Sequence, residues 1–189
     1  MQNSVLVIHG AGTPALRGGH IYWQTLLRAE LGDGYDVSCP LMPDADHPRH
    51  RNWEAGIAKA MAGSEAVLLL GHSLGASSLL KFLSEHTSHR PVRALFLVST
   101  PDWGPPGGDM DEFTLAPDFA TRLPRCPTFL YHSRHDTEIP LAHLKRYQRE
   151  LPWATARVIE GERHDFADGL FPELVHDIRD VGRGSVRRA

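Results

Sequence analysis

Cysteine is nearly absent from this chain. Cys39 and Cys126 are the only two in 189 residues, and their wide separation excludes a disulfide-stapled scaffold and a paired-cysteine metal site. Each adjoins a proline beside a strand-like run (Ser38-Cys39-Pro40 and Arg125-Cys126-Pro127). That placement favours buried, reduced thiols and a cytoplasmic setting. No apolar run approaches the length that spans a bilayer. The chain opens Met1-Gln2-Asn3-Ser4 and passes directly into Val5-Leu6-Val7-Ile8, without the basic segment and long apolar stretch of a secretory leader. Net charge is only −3 with His neutral, so no nucleic-acid partner is implied. Neither Gly-x-Gly-x-x-Gly nor a P-loop lysine occurs, so a dinucleotide or nucleoside-phosphate cofactor has no recognisable cradle. His-Glu-x-x-His is missing too. Three pairs of histidines lie three apart (His47 and His50, His86 and His89, His132 and His135); the first two pairs read as solvated loop or helix-end residues rather than metal ligands, and His132 and His135 flank the loop that carries Asp136. Internal repeats and low-complexity linkers are absent.

What is present is a regular alternation. Hydrophobic residues make up 41% and charged residues 23%, as in an ordinary globular domain, and the length suits one domain with a sizeable core. Short apolar runs at Ser4–His9, Tyr35–Cys39, Ala66–Leu70, Val92–Val98, Thr128–His132 and Ala156–Ile159 predict six strands. Between them, helical patterns cover His20–Leu31, Asn52–Met61, the stretch from Leu74 to about Ser84, Leu141–Leu151 and Leu170–Val181. In the second of these, Trp53, Ile57 and Met61 recur at a spacing of four on one face. Phe119–Leu123 adds a helical turn. Strand–helix alternation predicts an α/β fold, a three-layer α/β/α sandwich on a parallel sheet with right-handed crossovers. The expected strand order is 2-1-3-4-5-6, which sets the end of strand one beside the end of strand three. Residues 1–181 form one domain on this reading, and the tail 182–189 is a frayed terminus. The one long irregular excursion, Ser99–Asp118, is rich in Pro and Gly; loops of this kind are lids or simply mobile.

One pentapeptide carries chemistry: Gly71-His72-Ser73-Leu74-Gly75. It lies between the run Ala66-Val67-Leu68-Leu69-Leu70 and a small, apolar helical stretch. Strand, Gly-x-Ser-x-Gly and helix in that order define a nucleophile elbow. The glycines allow backbone segments to approach closely, and the sharp turn drives Ser73 towards an unusual backbone angle that lifts its hydroxyl above the sheet. The helix that begins at Leu74 directs free N–H groups and its positive end to the same place.

A serine hydroxyl needs a base within hydrogen-bond reach, and the base needs a carboxylate to fix its tautomer. Among 12 histidines, His164 is selected by position, in the loop Gly161-Glu162-Arg163-His164 between strand six and the last helix. His72 sits inside the elbow but is expected to point away from the nucleophile's side. His9 is expected to orient the loop His9-Gly10-Ala11-Gly12. Asp136, in His132-Ser133-Arg134-His135-Asp136-Thr137-Glu138-Ile139-Pro140 after strand five, is the expected acid. Asp102, just after strand four, and Glu138 are its rivals. The oxyanion donors should be the backbone N–H groups of Leu74, after the nucleophile, and Ala11, in the loop after strand one.

These motifs, in the order Ser…Asp…His, resemble those of α/β-hydrolases of serine type. The resemblance runs from strand one to the last helix. The small size and missing leading strands are similar to the compact retinoblastoma-binding-protein-9/YdeN group, with Trp23 adding support. It implies a minimal fold without a large cap and no cofactor or metal. It also implies hydrolysis of an ester, thioester or amide through an acyl-enzyme, most simply a carboxylic ester; the shortness of the chain, with no room for a large cap, adds the expectation of a small or short-chain acyl substrate. Ser73, Asp136 and His164 would be the catalytic residues. A thioesterase or acyltransferase on the same residues, and a non-catalytic binding module on the same fold, are the alternatives.

Overall fold

The computed structural model describes residues 2–12, 20–62, 67–86, 91–104, 108, 110–160, 163–164, 166 and 169–184. Its strands are β1 (Asn3–Ile8), β2 (Tyr35–Ser38), β3 (Val67–His72), β4 (Val92–Val98), β5 (Thr128–Ser133) and β6 (Thr155–Ile159). The helices are α1 (His20–Leu31), α2 (His50–Ala62), α3 (Leu74–Glu85), α4 (Phe119–Arg122), α5 (Ala142–Glu150) and α6 (Pro172–Gly182). All strand pairings are parallel, and the sheet order is β2-β1-β3-β4-β5-β6, as the sequence predicts. The expected loop Thr13–Gly19 and the tail from residue 185 lie outside the described residues.

The continuous apolar runs of the strands follow from burial on both faces. Side chains alternate across a strand with a period of two. Leu6, Ile8, Leu69, Leu95, Leu97 and Leu130 enter one core with Trp53, Ile57, Leu79, Leu80 and Leu144 from α2, α3 and α5. Val5, Val7, Leu68, Leu70, Phe96, Val98 and Tyr131 enter the other with Trp23 and Leu27 of α1 and Leu174 and Ile178 of α6. Each fully buried aliphatic side chain stabilises the fold by about 1.5–3 kcal/mol. Neither Cys39 nor Cys126 is in a disulfide, and both are buried; burial pushes the Cys39 thiol up to about 12.

Polar ties reinforce the second layer. Asp177 of α6 is nearly fully buried. Its carboxylate accepts from the Tyr131 hydroxyl at 2.7 Å and from Arg157 at 2.8 Å through both oxygens. At the rim where the strands begin, Arg93 donates to Asn3 Oδ1 at 2.5 Å and to the Val181 carbonyl at 3.1 Å. Gly182 packs so closely there that a Cβ would lie 2.2 Å from the Tyr35 hydroxyl and 3.1 Å from Asn3 Nδ2.

Element limits differ from expectation where distant groups decide them. Helix α2 starts at His50, two residues earlier than its periodicity suggests, because Glu112 Oε2 accepts from the His50 N–H at 2.6 Å. Glu112 belongs to the Pro/Gly-rich excursion, which is fastened down over its described part. Its 3-10 turn Asp111–Phe113 drives Phe113 into the core at 0% exposure, edge-on to His50. Lys81 donates to the Thr114 carbonyl at 2.9 Å and Tyr147 to the Pro101 carbonyl at 2.8 Å. Residues 105–107 and 109 lie outside the described residues. Among the described residues no helix is long and apolar enough to cross a membrane.

Candidate active site

Ser73 occupies the tight turn between β3 and α3. Its backbone has φ 52° and ψ −125°, a conformation that costs a non-glycine residue about 1–3 kcal/mol. The surroundings enforce it. A Cβ on Gly71 would fall 2.5 Å from Ala76 Cα, and one on Gly75 would fall 2.2 Å from the Ile8 carbonyl oxygen. Helix α3 therefore begins in van der Waals contact with the end of β1. The Ser73 N–H donates to the Val98 carbonyl at 2.9 Å, fixing the turn to β4 as well.

Three side chains from separate loops meet above the sheet. His164 Nε2 lies 3.0 Å from Ser73 Oγ, and His164 Nδ1 lies 2.8 Å from Asp136 Oδ2. A carboxylate only accepts, so the Nδ1 proton belongs to His164 and Nε2 is left to accept from the Ser73 hydroxyl. The Asp136 side chain is fully buried and that of His164 is 9% exposed. The second Asp136 oxygen accepts from the N–H groups of Glu138 at 3.0 Å and Ile139 at 2.8 Å. Burial alone would raise the Asp136 carboxyl; the hydrogen bonds from His164 and Ile139 outweigh it and hold the group at about 2. The acid is thus ionised throughout the neutral range.

The rival carboxylates lie elsewhere. Asp102 pairs with Arg146 and accepts from the Gly104 N–H at 3.0 Å, so it is engaged with α5 and its own loop. Glu138 lies 3.7 Å from His164 on the opposite nitrogen, Nε2, with its side chain 68% exposed.

Three more histidines surround this group. His72 is buried: its Nε2–H donates to the His164 carbonyl at 2.8 Å, and the two rings stand 5.1 Å apart. Burial, then the neighbouring His164, depresses His72 to about 3. Trp23 and Phe166 close its other sides. The elbow motif gives no sign of this supporting contact, because the partner is 92 positions away and is a backbone oxygen. His132 donates from Nε2 to the Ile139 carbonyl at 2.8 Å, and burial lowers it also. His9 accepts the Met42 N–H at Nε2 over 2.8 Å, so its proton sits on Nδ1, directed at the Gly10 carbonyl at 2.6 Å. It thereby ties the loop after β1 to the segment after β2, as an orienting residue should. A Cβ on Gly10 would lie 3.1 Å from Ser73 Cβ, so this loop abuts the serine. Ala11 follows in it, half-buried, and the Gly12 N–H is fixed to the Ala45 carbonyl at 2.7 Å. Leu74 is the first residue of α3.

Among the described residues no group of three or more His, Cys, Asp or Glu side chains is arranged to hold a metal ion; His89 lies outside them, as do Gly161 and Glu162.

An all-parallel six-stranded sheet in this order, with a strained serine after β3 and a histidine after β6, defines an α/β-hydrolase fold. The serine hydrolase family matches residues 5–164, and the chain belongs to that family. No curated protein matches it in sequence. Solved structures do match in fold. The ydeN gene product of B. subtilis superposes with a TM-score of 0.74 at 18% identity over 97% of this chain and 100% of that one. A serine hydrolase from Cycloclasticus zankles, a polyaromatic-hydrocarbon degrader, gives 0.76 at 15% over 97% and 91%. A thioesterase domain from the curacin biosynthetic pathway gives 0.67 at 14% over 96% and 91%. Likeness to YdeN agrees with the compact character expected from the sequence. The protein is a hydrolase on these grounds.

Proposed function

We propose that the protein is a carboxylic ester hydrolase of small or short-chain acyl substrates, acting through Ser73, His164 and Asp136. The observation that carries this reading is the hydrogen-bonded chain from Asp136 Oδ2 through His164 to Ser73 Oγ. Ser73 Oγ attacks the acyl carbon while its proton passes to His164 Nε2. The negative oxygen that forms is held by the N–H groups of Leu74 and Ala11. His164 then delivers the proton to the departing alkoxide, leaving Ser73 acylated. Water repeats the sequence, giving its proton to His164 and releasing the acid. Asp136, ionised and buried, holds the imidazole in the required tautomer and stabilises the transient imidazolium. The buried environment strengthens each of these charge interactions relative to water. No cofactor enters the scheme, and retained turnover after exhaustive chelation is expected. Two buried cysteines outside any disulfide support a reducing, cytoplasmic setting.

A fluorophosphonate probe tests the nucleophile. Labelling of the native protein and its loss in Ser73→Ala are expected; labelling that survives Ser73→Ala overturns the assignment, and absent labelling favours a binding module. The likeness to a thioesterase domain supports a second reading, thioester cleavage or acyl transfer by the same residues. A panel of acyl esters of graded length, with a matched thioester and an alcohol acceptor, separates these by rate and product.

A further inference from the structure

We propose that Glu138 is a specificity-determining residue that favours acyl esters whose alcohol portion carries a positive charge. The inference rests on the serine-nucleophile reading above. His164 stands between two carboxylates of one loop. Asp136 faces Nδ1 and is sealed from solvent, whereas Glu138 Oε2 lies 3.7 Å from Nε2 and is largely exposed. Nε2 is the atom that meets Ser73 at 3.0 Å and that hands a proton to the leaving alkoxide. The Glu138 carboxylate therefore borders the path of the alcohol.

Its placement is not incidental to the loop. One oxygen of Asp136 binds the Glu138 and Ile139 N–H groups while the other binds His164. The carboxylate that orients the imidazole also sets the backbone of Glu138 beside it.

Among the described residues, His164 is the one chargeable basic group within ion-pairing distance of this carboxylate. His72 donates to a carbonyl in a buried setting. His132 donates to the Ile139 carbonyl, and His9 accepts a backbone N–H. A cation about 6 Å from an exposed carboxylate gains a factor of roughly three to ten from Coulomb attraction at an intermediate dielectric, and an anion loses by a similar factor.

The test compares 2-(trimethylammonio)ethyl acetate with its neutral isostere, 3,3-dimethylbutyl acetate, as a ratio of kcat/KM within each protein. The ratio cancels changes in nucleophile strength or folded fraction. The wild type should prefer the cation roughly three- to tenfold, and the preference should shrink in 1 M salt. In Glu138→Gln the ratio should fall to about one, and in Glu138→Lys it should invert. A wild-type ratio near one, a ratio unchanged in Glu138→Gln, or hydrolysis of neither ester while Ser73 still takes the fluorophosphonate would overturn the proposal. Failure of Ser73 to label at all would instead remove the catalytic reading on which it rests.

Discussion

Asp136 shows how much one side chain organises. Its two oxygens have separate partners: the loop N–H groups on one side, the His164 ring on the other. An asparagine has one carbonyl oxygen and one NH2 group, so it cannot accept on both sides. If the oxygen keeps the loop, the NH2 faces Nδ1 and forces the proton onto Nε2, where it opposes the Ser73 hydroxyl. Asp136→Asn should therefore lower kcat about ten-thousandfold. Asp102→Asn should leave kcat close to wild type, because its partner Arg146 is a half-exposed ion pair worth at most about 1 kcal/mol. Steady-state rates on one ester rank the two; the opposite ranking would move the acid to the end of β4. The sequence singled out Ser73, Asp136 and His164, and the structure brings them within hydrogen-bond distance. Chain order and position at strand ends carry that information. The His72 contact with the His164 carbonyl was not legible, since no pattern in a sequence marks a backbone oxygen as a partner. The same limit applies to Glu138, which the sequence offered only as a rival acid and whose position at Nε2 depends on the turn that Asp136 closes.

At the scale of the element, the strands were readable because both faces are buried and each run is bounded by Gly, Pro or polar residues. Helix starts were less so. The start of α2 depends on Glu112, a residue 62 positions away, and periodicity cannot see a cap supplied from another segment. The contact of β1 with α3 at Gly75 is the element-level feature on which the site depends. Any side chain there would strike the Ile8 and His9 carbonyl oxygens; Ile8 ends β1 and His9 leads from it into the Gly10–Ala11 loop. Gly75→Ala should cost about 3 kcal/mol or more and lower turnover together with stability. Gly34→Ala, where a Cβ meets nothing within 4 Å, should change stability by less than about 0.5 kcal/mol. Urea denaturation of the pair checks the contrast; equal midpoints would mean that β1 and α3 can part without cost.

For the whole molecule, several buried imidazoles set the response to acid. His72 is held at about 3, well below its ordinary 6.5, and burial lowers His132 and His50 in the same direction. Because the folded form resists the proton that the unfolded chain accepts, this stability is complete above about pH 6.5 and is lost as pH falls towards 3. Asp136 adds a second loss lower down, present above the ordinary carboxyl value of 3.8 and fading as pH falls through about 2. Between pH 7 and pH 5 His72 alone should contribute a drop of about 2 kcal/mol. In His72→Gln the gap between urea midpoints at these two pH values should narrow by a corresponding amount. A gap as wide as that of the wild type would show that His72 takes up its proton in the folded state as readily as in the unfolded one.

The close approach of Gly182 to Tyr35 and Asn3 has a topological consequence. The end of α6 and the beginning of β1 meet at the rim where the strands start, whereas Ser73, Asp136 and His164 sit at the opposite rim, a strand length of about 17–20 Å away. A short linker from Gly182 to Asn3 would not cross the site, and the chain could then be opened in another surface turn. The order in which the strands are synthesised is separable from the arrangement that brings the three side chains together.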